Sequence, residues 1–185
     1  MLVVAAEGGH FPDNLILASC FWAAAFGFFA FGHSDDDETC YASTSDDPVD
    51  QLPNAEGELD GSMGTVDVAA RLHTFFIIGF YIQIIQIVVA VLTRFIDGYD
   101  LTRLLYNIYH LSQLAFLLNW CYGFIVRFSP SGQACAGTFE ENYRDGALYQ
   151  QEAFLLIAGL IVFAVFALTL LNSIYRQITG KGDTL

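Results

Sequence analysis

Residues 75–92 read FFIIGFYIQIIQIVVAVL, eighteen positions that carry no charge and two amides, Gln83 and Gln86. A run of this length is what an α-helix needs to cross the hydrocarbon of a bilayer. Lipid offers the backbone no water, so every N–H and C=O must find a partner within the segment, and a helix provides it. Working outward, the run extends to 69–92, and comparable apolar stretches lie at 14–32, 104–126 and 153–174. The expectation is an all-α, multi-pass integral membrane protein. It is a four-helix bundle in a single domain over 1–185, with two extramembrane loops, 33–68 and 127–152, on the non-cytoplasmic side.

Composition agrees. With 55% apolar residues, 15% aromatics and 7 Lys+Arg in 185 residues, a water-soluble globule would have too little polar surface to cover itself. The opening MLVVAAEGGHFPDN has no basic stretch before its apolar residues, and no small-residue cleavage site follows the first span, so that span reads as a retained signal anchor. Pro12, Asp13 and Asn14 supply the residue types of a helix start.

Four spans place both termini and the turn 94–103 on one side, with Gly98 marking a tight hairpin. Arg94, Arg103, Arg176 and Lys181 flank the spans there, against Arg71, Arg127 and Arg144 opposite, a four-to-three count by which the positive-inside rule favours cytoplasmic termini without deciding the orientation by itself. Cys40 and Cys135 fall in the two loops of the other side, where an oxidising compartment would let them pair; two separate thiols are the alternative. Cys20 and Cys121 lie within spans and read as small apolar packing residues.

The first loop holds Asp35, Asp36, Asp37, Glu38, Asp46, Asp47, Asp50, Glu56, Glu58, Asp60 and Asp67 with no Lys or Arg, and so carries most of the net charge of −13. Such a segment repels nucleic acid and attracts cations. Asp35 to Glu38 offer oxygens for calcium, but not in the alternating ladder of an EF-hand, so no ligand set is specified.

Within the spans, Gln83 and Gln86 are three residues apart, as are Asn107, His110 and Gln113. Each set reads as a polar stripe facing protein, making interhelical hydrogen bonds worth about 0.6 kcal/mol apiece. Asn119 is a further amide in the third span. His33, His73 and His110 invite a haem reading, but only His73 and His110 fall in helices and their depths do not match, so no haem is expected. The chain shows no GxSxG, P-loop, HExxH or GxGxxG, and no separated Ser, His and Asp, so no enzyme and no cofactor are expected. Ala23 and Gly27 form a small-xxx-small pair beside the aromatic run Phe21, Trp22, Phe26, Phe28, Phe29 and Phe31, a face suited to close helix contact.

The layout of short ends, a longer acidic first loop, a tight turn after Arg94 and a cysteine-bearing second loop resembles the tetraspan membrane proteins, and most closely the MARVEL type. Its most local element is WCYGFIVRFSPSGQACAG at 120–137, similar to the span-three exit and cysteine loop of protist four-span proteins. Claudins would show a Trp and two cysteines in the first outer loop, and this loop has Cys40 alone. The resemblance implies membrane organisation: a structural protein that contacts lipid and associates laterally into a homo-oligomer or array, with disulfide-clasped outer loops. Plasma, ciliary or vesicle membrane follows from it, with the mitochondrial inner membrane as the alternative. Two other functions stay open: an accessory subunit among neighbouring subunits of a large, for example respiratory, membrane complex, and a cation channel or transporter using the polar stripe.

Overall fold

The computed structural model describes residues 13–32, 40–43, 65–96, 98–136 and 147–179. Among these the elements run α1 (Asp13–Phe31), β1 (Tyr41–Ser43), β2 (Thr65–Asp67), α2 (Val68–Leu92), α3 (Tyr99–Phe128), α4 (Pro130–Cys135) and α5 (Ala147–Thr179). The chain is mostly helical. Three helical segments, Val68–Leu92, Asp100–Phe128 and Gln150–Leu168, are long and apolar enough to cross a membrane, while the apolar part of α1, Leu15–Phe31, is shorter.

The helix ends follow local chemistry. Asp67 caps α2 by accepting from the Ala70 N–H at 3.1 Å. At the other end of α2, Thr93 returns its hydroxyl to the Ala90 carbonyl at 2.7 Å. Gly98 is the extended residue that opens α3, its carbonyl accepting from the Thr102 N–H. Helix therefore begins at Tyr99, earlier than the apolar boundary at 104, because Asp100 and Arg103 lie exposed at the helix end and lose no hydration. Ser129 ends α3 and starts α4: Pro130 cannot continue a helix but suits a first turn, and the Gly132 N–H donates to Ser129 Oγ at 3.1 Å. The loop expected over 127–152 thus contains a helical turn.

The all-α expectation needs one correction. The chain that leaves α1 and returns to α2 closes as a two-stranded antiparallel sheet, with Tyr41 opposite Asp67, Ala42 opposite Val66 and Ser43 opposite Thr65. The Val68 N–H continues the pairing to the Cys40 carbonyl at 2.9 Å, so the strands lock the first turn of α2. A polar, acidic segment hid this, because the pairing uses backbone groups, with Ala42 and Val68 burying their side chains completely.

The main core lies at this end of the bundle. Phe26 of α1, Phe75 and Phe76 of α2 and Trp120 of α3 have no exposed surface, and Trp22, Phe29, Phe116, Phe124 and Phe154 pack around them. Glycines make the close approaches possible: a Cβ at Gly79 would overlap the Phe26 ring, and one at Gly159 would sit 2.5 Å from Phe124 Cζ. A second, smaller core of Val89, Ala90, Leu105 and Tyr109 lies at the α2–α3 turn.

Candidate functional site

Three constellations of polar or reactive groups stand out among the described residues. The first is the clasp. Cys40 precedes β1 and Cys135 ends α4, and they are bonded to each other with their Cα atoms 6.1 Å apart. Cys135 is buried and Cys40 half-buried. The bridge spans 95 residues of chain and ties the strand pair to the end of α3. Cys20 is exposed on α1 and Cys121 half-buried on α3; both are free.

The second is a node of amides and hydroxyls. Gln86 Oε1 accepts from Gln113 Nε2 at 3.0 Å and from Ser19 Oγ at 3.4 Å, which joins α1, α2 and α3 at one level. Tyr109, buried on α3, interacts with both Gln113 and Ser19. Gln83 sits one turn along α2, also buried, and among the described residues Gln83 Oε1 and Gln86 Nε2 have no hydrogen-bond partner. Nearer the clasp, Asn119 Nδ2 donates to the Phe75 carbonyl at 3.1 Å, a buried tie from α3 to the α2 backbone.

Of the expected stripe on α3, only Gln113 reaches this node. His110 is half-buried with its ring 6.3 Å from that of Tyr109, and Asn107 is exposed. Helical geometry explains the divergence: each step of three residues rotates the side chain by about 60°, so Asn107 and Gln113 point about 120° apart. Ser19 and Tyr109 carried no sequence signal, since a lone Ser among alanines and a Tyr among apolar residues are both ordinary in a span.

The third was missed because each of its residues fell just outside an apolar run. Arg127, next to last in α3, and Glu152, in the second turn of α5, face each other with Arg127 Nε 3.5 Å from Glu152 Oε2. Glu152 is 1% exposed and the Arg127 side chain 17%. Among the described residues neither carboxylate oxygen has a hydrogen bond, nor does Arg127 Nε. Arg127 also lies 5.9 Å from the Phe128 ring centroid. An arginine closing one apolar run and a glutamate opening the next was the signal available.

The histidines do not converge. His73 Nε2 donates to the Ala30 carbonyl at 3.0 Å near the start of α2. His110 lies one turn from Gln113, which meets Gln86, thirteen residues along α2 from His73. That is roughly 20 Å of helix, too far for one iron. Among the described residues no three His, Cys, Asp or Glu side chains gather as a metal site. His33 and the Asp35 to Glu38 run lie outside the described residues.

Comparison with protein families, with curated proteins and with solved structures finds no match.

Proposed function

We propose that this chain is a four-span membrane-organising protein that associates laterally with its own kind. Its termini lie in the cytoplasm, and the disulfide clasp lies on the opposite side. The observation that carries the reading is on α5. Ala164, Val165, Phe166, Ala167 and Leu168 are consecutive and all exposed, and five residues of helix sweep more than a full turn. Ala164, Val165, Ala167 and Leu168 thus offer accessible side chains on several sides of α5, whereas from Glu152 to Phe163 it presses Phe154, Leu155, Ala158 and Phe163 against the bundle.

The exposed side chains from Ala164 to Leu168 give a neighbouring helix a surface to pack against. In lipid, helices associate through close van der Waals fit rather than through exclusion of water, and small residues promote that fit. Ala164 and Ala167 on α5 and Ala18 and Ala24 on α1 are small and exposed, among the large exposed side chains Leu17, Phe21, Phe28 and Leu171. A second copy laying its α1 or α5 against this surface would repeat the contact and build an oligomer or array.

Extraction into mild detergent, followed by size measurement and electron microscopy, tests the reading. Rings, filaments or lattices of this chain alone are the expected outcome. A monomer at every concentration would remove it. Co-migration with many unrelated subunits would move the function to an accessory role in a larger complex.

A further inference from the structure

The amide node holds more hydrogen-bonding capacity than the side chains around it use. Gln83 and Gln86 are each 1% exposed, yet among the described residues Gln83 Oε1 and Gln86 Nε2 have no hydrogen bond. Enclosing such a group without a partner costs free energy, and hydrocarbon supplies none. The two residues stand three positions apart on α2, which puts their Cβ atoms about 5–6 Å from each other along one side of the helix.

Turning an amide over does not repair this. Gln86 Oε1 already accepts from Gln113 Nε2 of α3 and from Ser19 Oγ of α1, so two helices hold that arm of the carboxamide. Exchanging the oxygen and nitrogen of Gln86 would require Gln113 to turn as well, and would then leave the Gln86 oxygen alone in place of the nitrogen. In either setting one arm of Gln86 calls for a further molecule.

The surroundings say which kind. Ser19 with Gln86, Phe26 against Gly79 and the Ala30 carbonyl with His73 set α1 and α2 antiparallel, and that register brings Ala23 to the level of Gln83. Ala23 is buried and presents only a methyl group. No Asp, Glu, Lys or Arg occurs at 14–31, 74–93 or 104–126, so an ion would enter without a countercharge. The ligand that suits is small, neutral and able both to give and to take a hydrogen bond. Water is such a molecule, and two hydrogen bonds through one oxygen span up to about 5.7 Å, comparable with the spacing of the two side chains.

We propose that Gln83 and Gln86 hold one long-lived water molecule inside the membrane. It accepts from Gln86 Nε2 and donates to Gln83 Oε1, and so carries the tie among α1, α2 and α3 one turn further along α2. The site belongs to one chain and stands independently of lateral association.

The test is a water-selective NOE and ROE measurement on the full chain, with nitrogen-labelled glutamine, in nanodiscs of deuterated lipid. The Gln86 side-chain signal is the one missing from Gln86→Leu. The parent should show a cross-peak from the Gln86 Nε2 protons to water with opposite signs in the two experiments, the mark of a water held in place; proton exchange gives the same sign in both. Gln83→Met keeps the length of the side chain and removes its amide, and should abolish the cross-peak. No cross-peak in the parent, a cross-peak from exchange alone, or one that survives Gln83→Met overturns the site. Should Gln83→Met fail to fold, the parent spectrum decides: the opposite-sign cross-peak supports the site and its absence overturns it.

Discussion

At the clasped end, Phe26, Phe75, Phe76 and Trp120 interlock with no exposed surface, glycines receive the rings, and a covalent bridge ties strand to helix. At the α2–α3 turn the core is Val89, Ala90, Leu105 and Tyr109, tied at its edge by the exposed pair of Arg94 with Asp13. Between them lies the amide node. The contrast shows how cohesion is obtained where water plays no part. Lipid cancels most of the gain from burying apolar surface, so interlocking shape dominates at one end and a few polar ties position helices elsewhere.

The sharpest way to break the contrast is Trp120→Ala. Trp120 meets Trp22, Phe26, Phe75, Phe116, Phe124 and Phe154, and its loss leaves a void that the clasp prevents from collapsing. A destabilisation of about 3 kcal/mol is expected in a reversible denaturation assay in detergent, near the low end for such truncations because lipid and core are alike in polarity. Next is Gly79→Ala, which forces Phe26 from its seat and should cost about 2 kcal/mol in the same assay. If either change proves silent, the clasped end is not the tightly packed region described here.

Smaller effects are expected in the middle and at the turn. Gln86→Leu removes the acceptor shared by Ser19 and Gln113, and should cost about 1 kcal/mol, partly offset by the loss of the unpartnered Gln86 Nε2. Gln113→Leu should cost less, and the two changes together should cost little more than Gln86→Leu alone, because they act on one hydrogen bond. Arg94→Ala should cost about 0.5 kcal/mol or less, since Arg94 and Asp13 are 40% and 81% exposed and water screens them. A cost at Arg94 equal to that at Trp120 would erase the difference between the ends.

Much of this could be read from the residues. Runs such as 75–92 announced their helices because eighteen uncharged, mostly apolar residues must satisfy their backbone within the segment in lipid. Gln83 and Gln86, one turn apart, were recognisable as buried, and the structure places both in the core. Legibility failed at the edges of the runs. The start of α3 at Tyr99, the pairing of β1 with β2, and the meeting of Arg127 with Glu152 depend on residues whose apolar content is unremarkable. Asn107 failed for a different reason, since three-residue spacing drifts around a helix instead of holding one face.

Composition and hydrophobic run length by themselves determined that this chain is helical and suited to a membrane, because both are properties of each segment against its solvent. Tertiary structure alone decided which polar groups meet. Gln86 shares its oxygen with two other helices, and Glu152 is buried against Arg127. Those outcomes depend on rotation and register between helices, which are set by how rings fit glycines across an interface, and no single segment records them.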